Sequence, residues 1–436
     1  MKRGVAITGS FALLLSAALG LGFRPSLYAP YEEGQAYVHI AHNDYSQVYS
    51  YYGGRVLHPL FARFIAAILH RPIDARIFLC LSAASLVAFF LALGIHYGIA
   101  YSSSGVLWIA LLATATVVDA YRNYYWHDLF YAALCAVFFV ALRSNLWLAV
   151  GLLVPLYWTR ESTIVLVGAV VLIAALERRW AVCAAAALVG LLAMRIDSAL
   201  VARALPNHQG LSLAALDVLK VPYNFAFNVC GLEFWANTNS ATLDPPIWVA
   251  RVPVWLHLGN IREVGYSGFS WQRPVQTLLT MATAFGVLPL AAMRLPARKW
   301  TRLVHGRFDM ATSLVYGALM FGLTPLVGTV PERYVLYSWP LFWWFAVDLL
   351  TALPDLRTRV EAVLLCVLAA WAPALVRLCT GPSIEEGQSV STVGPLGLVI
   401  SLALVAAIYV AAWRLLCVGN RRVEAGFEPA RGSLRR

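Results

Sequence analysis

The chain has 436 residues, of which 60% are hydrophobic and only 13% charged, with a net charge of +11 and a mean hydropathy of +0.69. A soluble domain carries roughly a quarter charged residues, so this composition excludes an ordinary soluble enzyme and points to a polytopic membrane protein. The surplus of Lys and Arg fits basic loops held in the cytoplasm better than a nucleic-acid-binding face, and no nucleic-acid partner is expected.

Crossing helices need about 20 apolar residues each, and no strand-like alternation repeats along the chain, so an all-α bundle of about 12 transmembrane helices is expected. Helix 1 falls near 5–23, read as a retained helix rather than a cleaved signal. A long polar and aromatic segment follows, 24–76, as a first extracytoplasmic loop. Within it Leu57, Leu60, Phe61, Phe64, Ile65, Ile68 and Leu69 recur at three- and four-residue spacing, the pattern of an amphipathic helix lying in the membrane interface. Helices 2 to 7 are expected near 77–97, 104–118, 128–142, 145–158, 162–176 and 181–195. A second long extracytoplasmic segment covers 196–274; its apolar stretch Leu211–Trp235 also contains Lys220, Pro222, Asn224 and Asn228, and is read as interfacial or re-entrant. Helices 8 to 12 are expected near 275–293, 309–329, 335–352, 360–377 and 395–416, with a basic cytoplasmic tail at 417–436; the whole, 1–436, reads as a single transmembrane domain.

This count places every short basic cluster on one side: Lys2 and Arg3, Arg143, Arg178 and Arg179, the Arg294–Arg307 loop, Arg357 and Arg359, and the tail. By the bias of Lys and Arg toward cytoplasmic loops, both termini are expected in the cytoplasm. The opposite face then receives Glu32, Glu33, Asp44, Arg55, His58, Asp119, Arg122, Asp128, Arg160, Glu161, Glu332 and Arg333. Ionisable groups at helix mouths cost several kcal/mol unless paired or hydrated, and they mark function. Carboxylates beside arginines suit transfer of a sugar from a lipid phosphate: a carboxylate takes the acceptor's proton, and guanidinium forks hold the leaving phosphate. A transporter of lipid-linked sugars is the alternative, although transporters place such groups near the bilayer midplane.

Four stretches resemble motifs of the GT-C superfamily of membrane glycosyltransferases. They are Tyr31-Glu32-Glu33-Gly34-Gln35-Ala36-Tyr37-Val38-His39-Ile40-Ala41, Gly54-Arg55-Val56-Leu57-His58-Pro59-Leu60, Thr159-Arg160-Glu161-Ser162, and Pro331-Glu332-Arg333-Tyr334 with Trp339-Pro340-Leu341. The resemblance implies a GT-C-like fold and an inverting transferase in the plasma (inner) membrane of a cell envelope. It implies a polyprenyl-phosphate-linked sugar as donor, a glycan, lipid or protein as acceptor, and an extracytoplasmic active site. Its catalytic carboxylate maps to Glu33, with Glu32, Asp44 and Asp128 as alternatives. Arg55, Arg160 and Arg333 become phosphate contacts, and His58, Asp119, Glu161 and Glu332 line the substrate site. The seven Cys form no CxxC pattern and the His residues show no converging ligand set, so no metal or other cofactor is expected.

Overall fold

The computed structural model describes residues 2–101, 104–206, 210, 213–236, 247–256, 259–290, 307–328, 330–353, 355–380 and 393–426. The expected basic loop through Arg294, Arg298, Lys299 and Arg302, and the end of the tail with Arg431, Arg435 and Arg436, lie outside them. The chain begins with α1 (Lys2–Gly22), α2 (Glu33–Ala41), the single turn α3 (Ser50–Gly53), α4 (Leu57–Ile68) and α5 (Ala75–Tyr101). Next come α6 (Gly105–Leu111), α7 (Ala115–Arg122), α8 (Asp128–Ser144), α9 (Leu146–Tyr157), α10 (Thr163–Leu176), α11 (Trp180–Val201) and α12 (Leu213–Asn228). Three strands follow, β1 (Leu232–Ala236), β2 (Trp248–Arg251) and β3 (Glu263–Phe269). The chain then returns to helix with α13 (Gln272–Thr283), α14 (Phe308–Val327), the short α15 (Pro331–Tyr334), α16 (Trp339–Ala352), α17 (Leu356–Thr380) and α18 (Pro395–Gly426).

The protein is therefore mainly helical and membrane-embedded. Six described helices are long and apolar enough to cross a bilayer, namely α1, α5, α11, α14, α17 and α18, and α6 with α7 make a seventh if the bent pair is one span. The other expected crossings correspond to helices of 12 to 17 residues: α8, α9, α10, α13 and α16. Two breaks have clear causes. Between α6 and α7 the axis bends by 65°, and the Ala113 carbonyl at the break accepts from the Trp371 indole at 3.0 Å. The helix expected over 275–293 is interrupted by a turn at 284–287 and resumes at 288; within the turn Gly286 adopts φ +60, and a Cβ there would lie 2.1 Å from the Cys366 carbonyl.

Backbone contact at small residues joins the N-terminal helix to the bundle. Gly94 and Gly98, one turn apart on α5, present one face to α1. A Cβ on Gly98 would stand 2.6 Å from Val5 Cα, and one on Gly94 would stand 2.9 Å from the Thr8 carbonyl. Thr8 uses this closeness to donate its hydroxyl to the Gly94 carbonyl at 2.6 Å. Farther in, Phe89, Phe139, Trp339 and Trp343 pack edge to face at the centre of the main core.

A second, smaller core sits under α2 and α4. Tyr37, Ile40, Val56, Ala62, Phe78, Tyr124, Tyr125 and Phe130 are all buried there. α4 turns His58, Pro59, Ala62 and Ala66 inward and leaves Leu60, Phe61, Phe64 and Ile68 exposed. An apolar row facing outward is what an interfacial helix presents to lipid. The second long segment departs from the all-helical expectation. Its strands form an antiparallel sheet in the order β1-β3-β2, with a register irregularity between Glu233 and Phe234. Short runs of Val, Trp, Tyr and Phe make these strands. They are too few and too short to reveal an alternation against the apolar background of the whole chain.

Gly98→Leu forces α1 off α5. Overpacking of this kind costs about 1–3 kcal/mol, so the purified variant should melt at lower temperature than wild type. An unchanged melting temperature contradicts the close α1–α5 approach.

Candidate functional site

α2 starts at Glu33 and carries Tyr37 one turn later, so both side chains share a face. The Tyr37 hydroxyl donates to Glu33 Oε1 at 2.5 Å. Glu32 precedes the helix with φ 41 and its side chain is exposed, which makes Glu33 the member of the acidic pair that turns inward. Arg55 enters from the segment between α3 and α4. Its Nη1 donates to Glu33 Oε1 at 3.0 Å, its Nε to Glu161 Oε2 at 2.9 Å, and its Nη2 to Glu161 Oε1. The preceding Gly54 has no room for a side chain, since a Cβ would lie 1.9 Å from the Asp197 carboxylate.

Arg333, on α15, joins two acids. It donates to both Glu33 oxygens, with Nη2 to Oε1 at 2.8 Å, and its Nε donates to Asp128 Oδ2. Asp128 opens α8 and is fully buried. Arg160, in the turn between α9 and α10, donates from Nη1 to Asp128 Oδ1 at 2.8 Å, with the Tyr337 hydroxyl close beside the same nitrogen. The result is one alternating file: Glu161, Arg55, Glu33, Arg333, Asp128, Arg160. Three guanidiniums meet three carboxylates, and their formal charges cancel. The guanidiniums also stack on rings, Arg55 over Tyr51 at 4.6 Å, Arg160 over Tyr337 at 4.6 Å and Arg333 over Trp126 at 4.4 Å.

Burial alone would raise the Glu33 carboxyl, but Arg333, His127 and Arg55 hold it well below its usual value near 4.5. For Glu161, Arg55 likewise outweighs burial and holds the carboxyl low. His127 is pushed down to about 4 by burial, with Arg160 adding to that push, so it is neutral. Its tautomer follows from its partners. Arg160 Nη1 donates to Nε2 at 2.8 Å, which leaves the proton on Nδ1, 2.6 Å from the Tyr37 oxygen and 3.3 Å from Glu33. His58, behind the Tyr37 ring, is driven down to about 3 by burial, and its Nδ1 has no hydrogen-bond partner.

Six of the residues singled out in the sequence, Glu33, Arg55, Asp128, Arg160, Glu161 and Arg333, thus meet in one cluster. Asp119 and Glu332 line a cavity of about 60 Å³ beside it, together with Asp128 and Arg333. Asp44 does not join them. It sits at the far end of α2, where it accepts from Ser46 and pairs with His39 at 3.1 Å, half-exposed, and this position sets it apart from the cluster. Sequence reasoning missed Tyr37, His127 and Tyr337, the neutral groups that close the network. Two signals were available: Tyr37 lies four residues after Glu33 on a helix, and His127 directly precedes Asp128. It also missed Lys220, whose ammonium lies 3.6 Å from the centre of the Tyr51 ring and ties the second long segment to this site. Among the described residues no group of three or more His, Cys, Asp or Glu could hold a metal ion.

Removing one member of a buried ion pair costs about 3–5 kcal/mol, because its partner is left uncompensated. Arg333→Met leaves three carboxylates to share the two guanidiniums of Arg55 and Arg160 and should lower the melting temperature accordingly. A depressed carboxyl stabilises the fold above its unfolded value, near pH 4.5, and that contribution is lost as pH falls through the native value. The melting temperature of wild type should therefore drop more steeply below pH 4.5 than that of Glu33→Gln. Parallel curves contradict the assignment.

No family model, curated protein or solved structure matches this chain.

Proposed function

We propose that the chain is an inverting membrane glycosyltransferase of GT-C type, which moves a sugar from a polyprenyl phosphate to an acceptor hydroxyl. The observation that carries the reading is the meeting of Arg55, Arg160 and Arg333, from three separate segments, in one largely buried cluster with carboxylates. Guanidinium forks match phosphate oxygens as well as carboxylate oxygens. A developing phosphate charge in a water-poor site is stabilised by such preorganised donors. In this reading about twelve helical segments cross or enter the plasma (inner) membrane, the termini are cytoplasmic, and the chamber faces the opposite side. The exposed apolar row of α4 then lies in the outer leaflet, beside the chamber where the lipid donor docks.

The reaction uses groups already in place. The acceptor oxygen attacks the anomeric carbon, the bond from that carbon to the phosphate oxygen breaks, and the electron pair leaves with the phosphate. Arg55, Arg160 and Arg333 receive the phosphate. Glu33 and Asp128 fix the guanidiniums before it arrives, and a chamber carboxylate takes the hydroxyl proton.

Purified protein, given a panel of undecaprenyl-phosphate-linked hexoses and pentoses and glycerol as acceptor in proteoliposomes, should release undecaprenyl phosphate. Glu33→Gln loosens two arginines at once and should reduce release by about 100-fold, the scale of one lost transition-state donor. Movement of the lipid across the vesicle with no release of undecaprenyl phosphate favours a transporter instead.

A further inference from the structure

The carboxylates around the chamber are not equivalent. A general base needs a lone pair facing the hydroxyl and a proton affinity suited to accepting it. Glu33 already accepts from Arg55, Arg333 and Tyr37. Asp128 accepts from Arg160, Arg333 and Tyr337, and Glu161 is gripped by the Arg55 fork. Each of these three is tied to a guanidinium.

Glu332 is held differently. It is buried, and its Oε1 accepts two long bonds from neutral donors on α13, the Gln276 amide at 3.2 Å and the Thr280 hydroxyl at 3.3 Å. Glu332 lines the same cavity of about 60 Å³ as Asp119, Asn123, Trp126, Asp128 and Arg333. That volume takes a few water-sized groups, which suits a hydroxyl and its carbon. Burial raises the Glu332 carboxyl above its usual value, and the hydrogen bonds from its own backbone, Gln276 and Thr280 only partly offset this. The charged groups around it are Arg273 from α13, Asp119 from α7, Asp128 from α8 and Arg333 beside it.

We infer that this cavity receives a polyol hydroxyl of the acceptor, and that Glu332 rather than Glu33 takes its proton. The inference rests on the glycosyl-transfer reading above. As the carbon–oxygen bond to the acceptor forms and the bond to the phosphate oxygen breaks, the proton passes to the Glu332 carboxylate and afterwards to water. Arg333, the next residue, serves the leaving phosphate, so one turn of helix supplies both proton acceptor and anion contact.

The test uses the full chain in proteoliposomes, the same panel of undecaprenyl-phosphate sugars, and glycerol as the acceptor probe. Glu332→Gln keeps an acceptor for Gln276 and Thr280. It should lower kcat by about 100-fold or more, with the donor KM unchanged and the acid limb of the kcat/KM profile gone. Thr280→Val removes a bond that favours the carboxylate, so the acid limb should move to higher pH, a shift that a purely structural role does not produce. Glu33→Gln should be slow yet keep its acid limb. Transfer by Glu332→Gln at the wild-type rate, or loss of the acid limb in Glu33→Gln but not in Glu332→Gln, overturns the inference. If Arg333→Met then abolishes transfer, the glycosyl-transfer reading survives without it. A wild-type protein that releases no undecaprenyl phosphate from any donor overturns both.

Discussion

Glu33 is shared by two arginines that stand 22 and 300 residues away in the chain. That one carboxylate joins α2, the segment before α4, and α15. Through Arg333 and Asp128 it also reaches α8 and the turn after α9. Burying an isolated charge costs several kcal/mol, and close pairing with good geometry returns that cost. Four buried ionisable groups, Glu33, Arg55, Asp128 and Arg160, and the part-buried Glu161 and Arg333 can sit together here only because acids and guanidiniums alternate, so each charge faces opposite neighbours. The alternation makes the cluster a constraint on the fold: the helix ends must arrive in register, or some member is left unpaired.

Packing beneath the cluster delivers that register. The aromatic core under α2 and α4 fixes Tyr37 against His127 and Tyr52, and Gly34 lets α2 approach Tyr125, with an added Cβ only 3.1 Å away. The small elements α2, α3, α4 and α15 are too short to be stable alone. They are held by this core from below and by the ion pairs from within. Neutral groups complete the arrangement. His127 satisfies Arg160 on one nitrogen and Tyr37 on the other, and no water is needed to bridge the two halves of the file.

Much of this was legible in the sequence, for a physical reason. Charges are so expensive inside a bilayer that their positions are informative, and Glu33, Arg55, Asp128, Arg160, Glu161 and Arg333 stood out against an apolar background. The amphipathic period of 57–69 gave α4 to within a residue. Less legible were features decided by distant neighbours. The proton affinity of Glu33 depends on Arg333, 300 residues on, so no local pattern could show that its carboxyl is held low. Tyr37, His127 and Tyr337 carry no formal charge and hide among the many aromatics. The turn at Gly286 packs against the Cys366 carbonyl of another helix. Asp44 looked like Glu33 from its place in the same loop, yet lies at the opposite end of a nine-residue helix.

The neutrality of the cluster has a consequence for the order of events in the proposed reaction. Each guanidinium already has a carboxylate partner, so an arriving phosphate must take N–H donors from Glu33 or Asp128 rather than add to unpaired cations. The chamber then carries net negative charge. Like charge nearby raises the proton affinity of a carboxylate, and Glu332 lines the cavity that Arg333 and Asp128 also face. In that proposed reaction, donor binding would strengthen the proton acceptor at the moment the acceptor hydroxyl needs it. In the proposed reaction, one alternating row of charges would thus link occupancy of the anion site to readiness of the base, with no moving domain required.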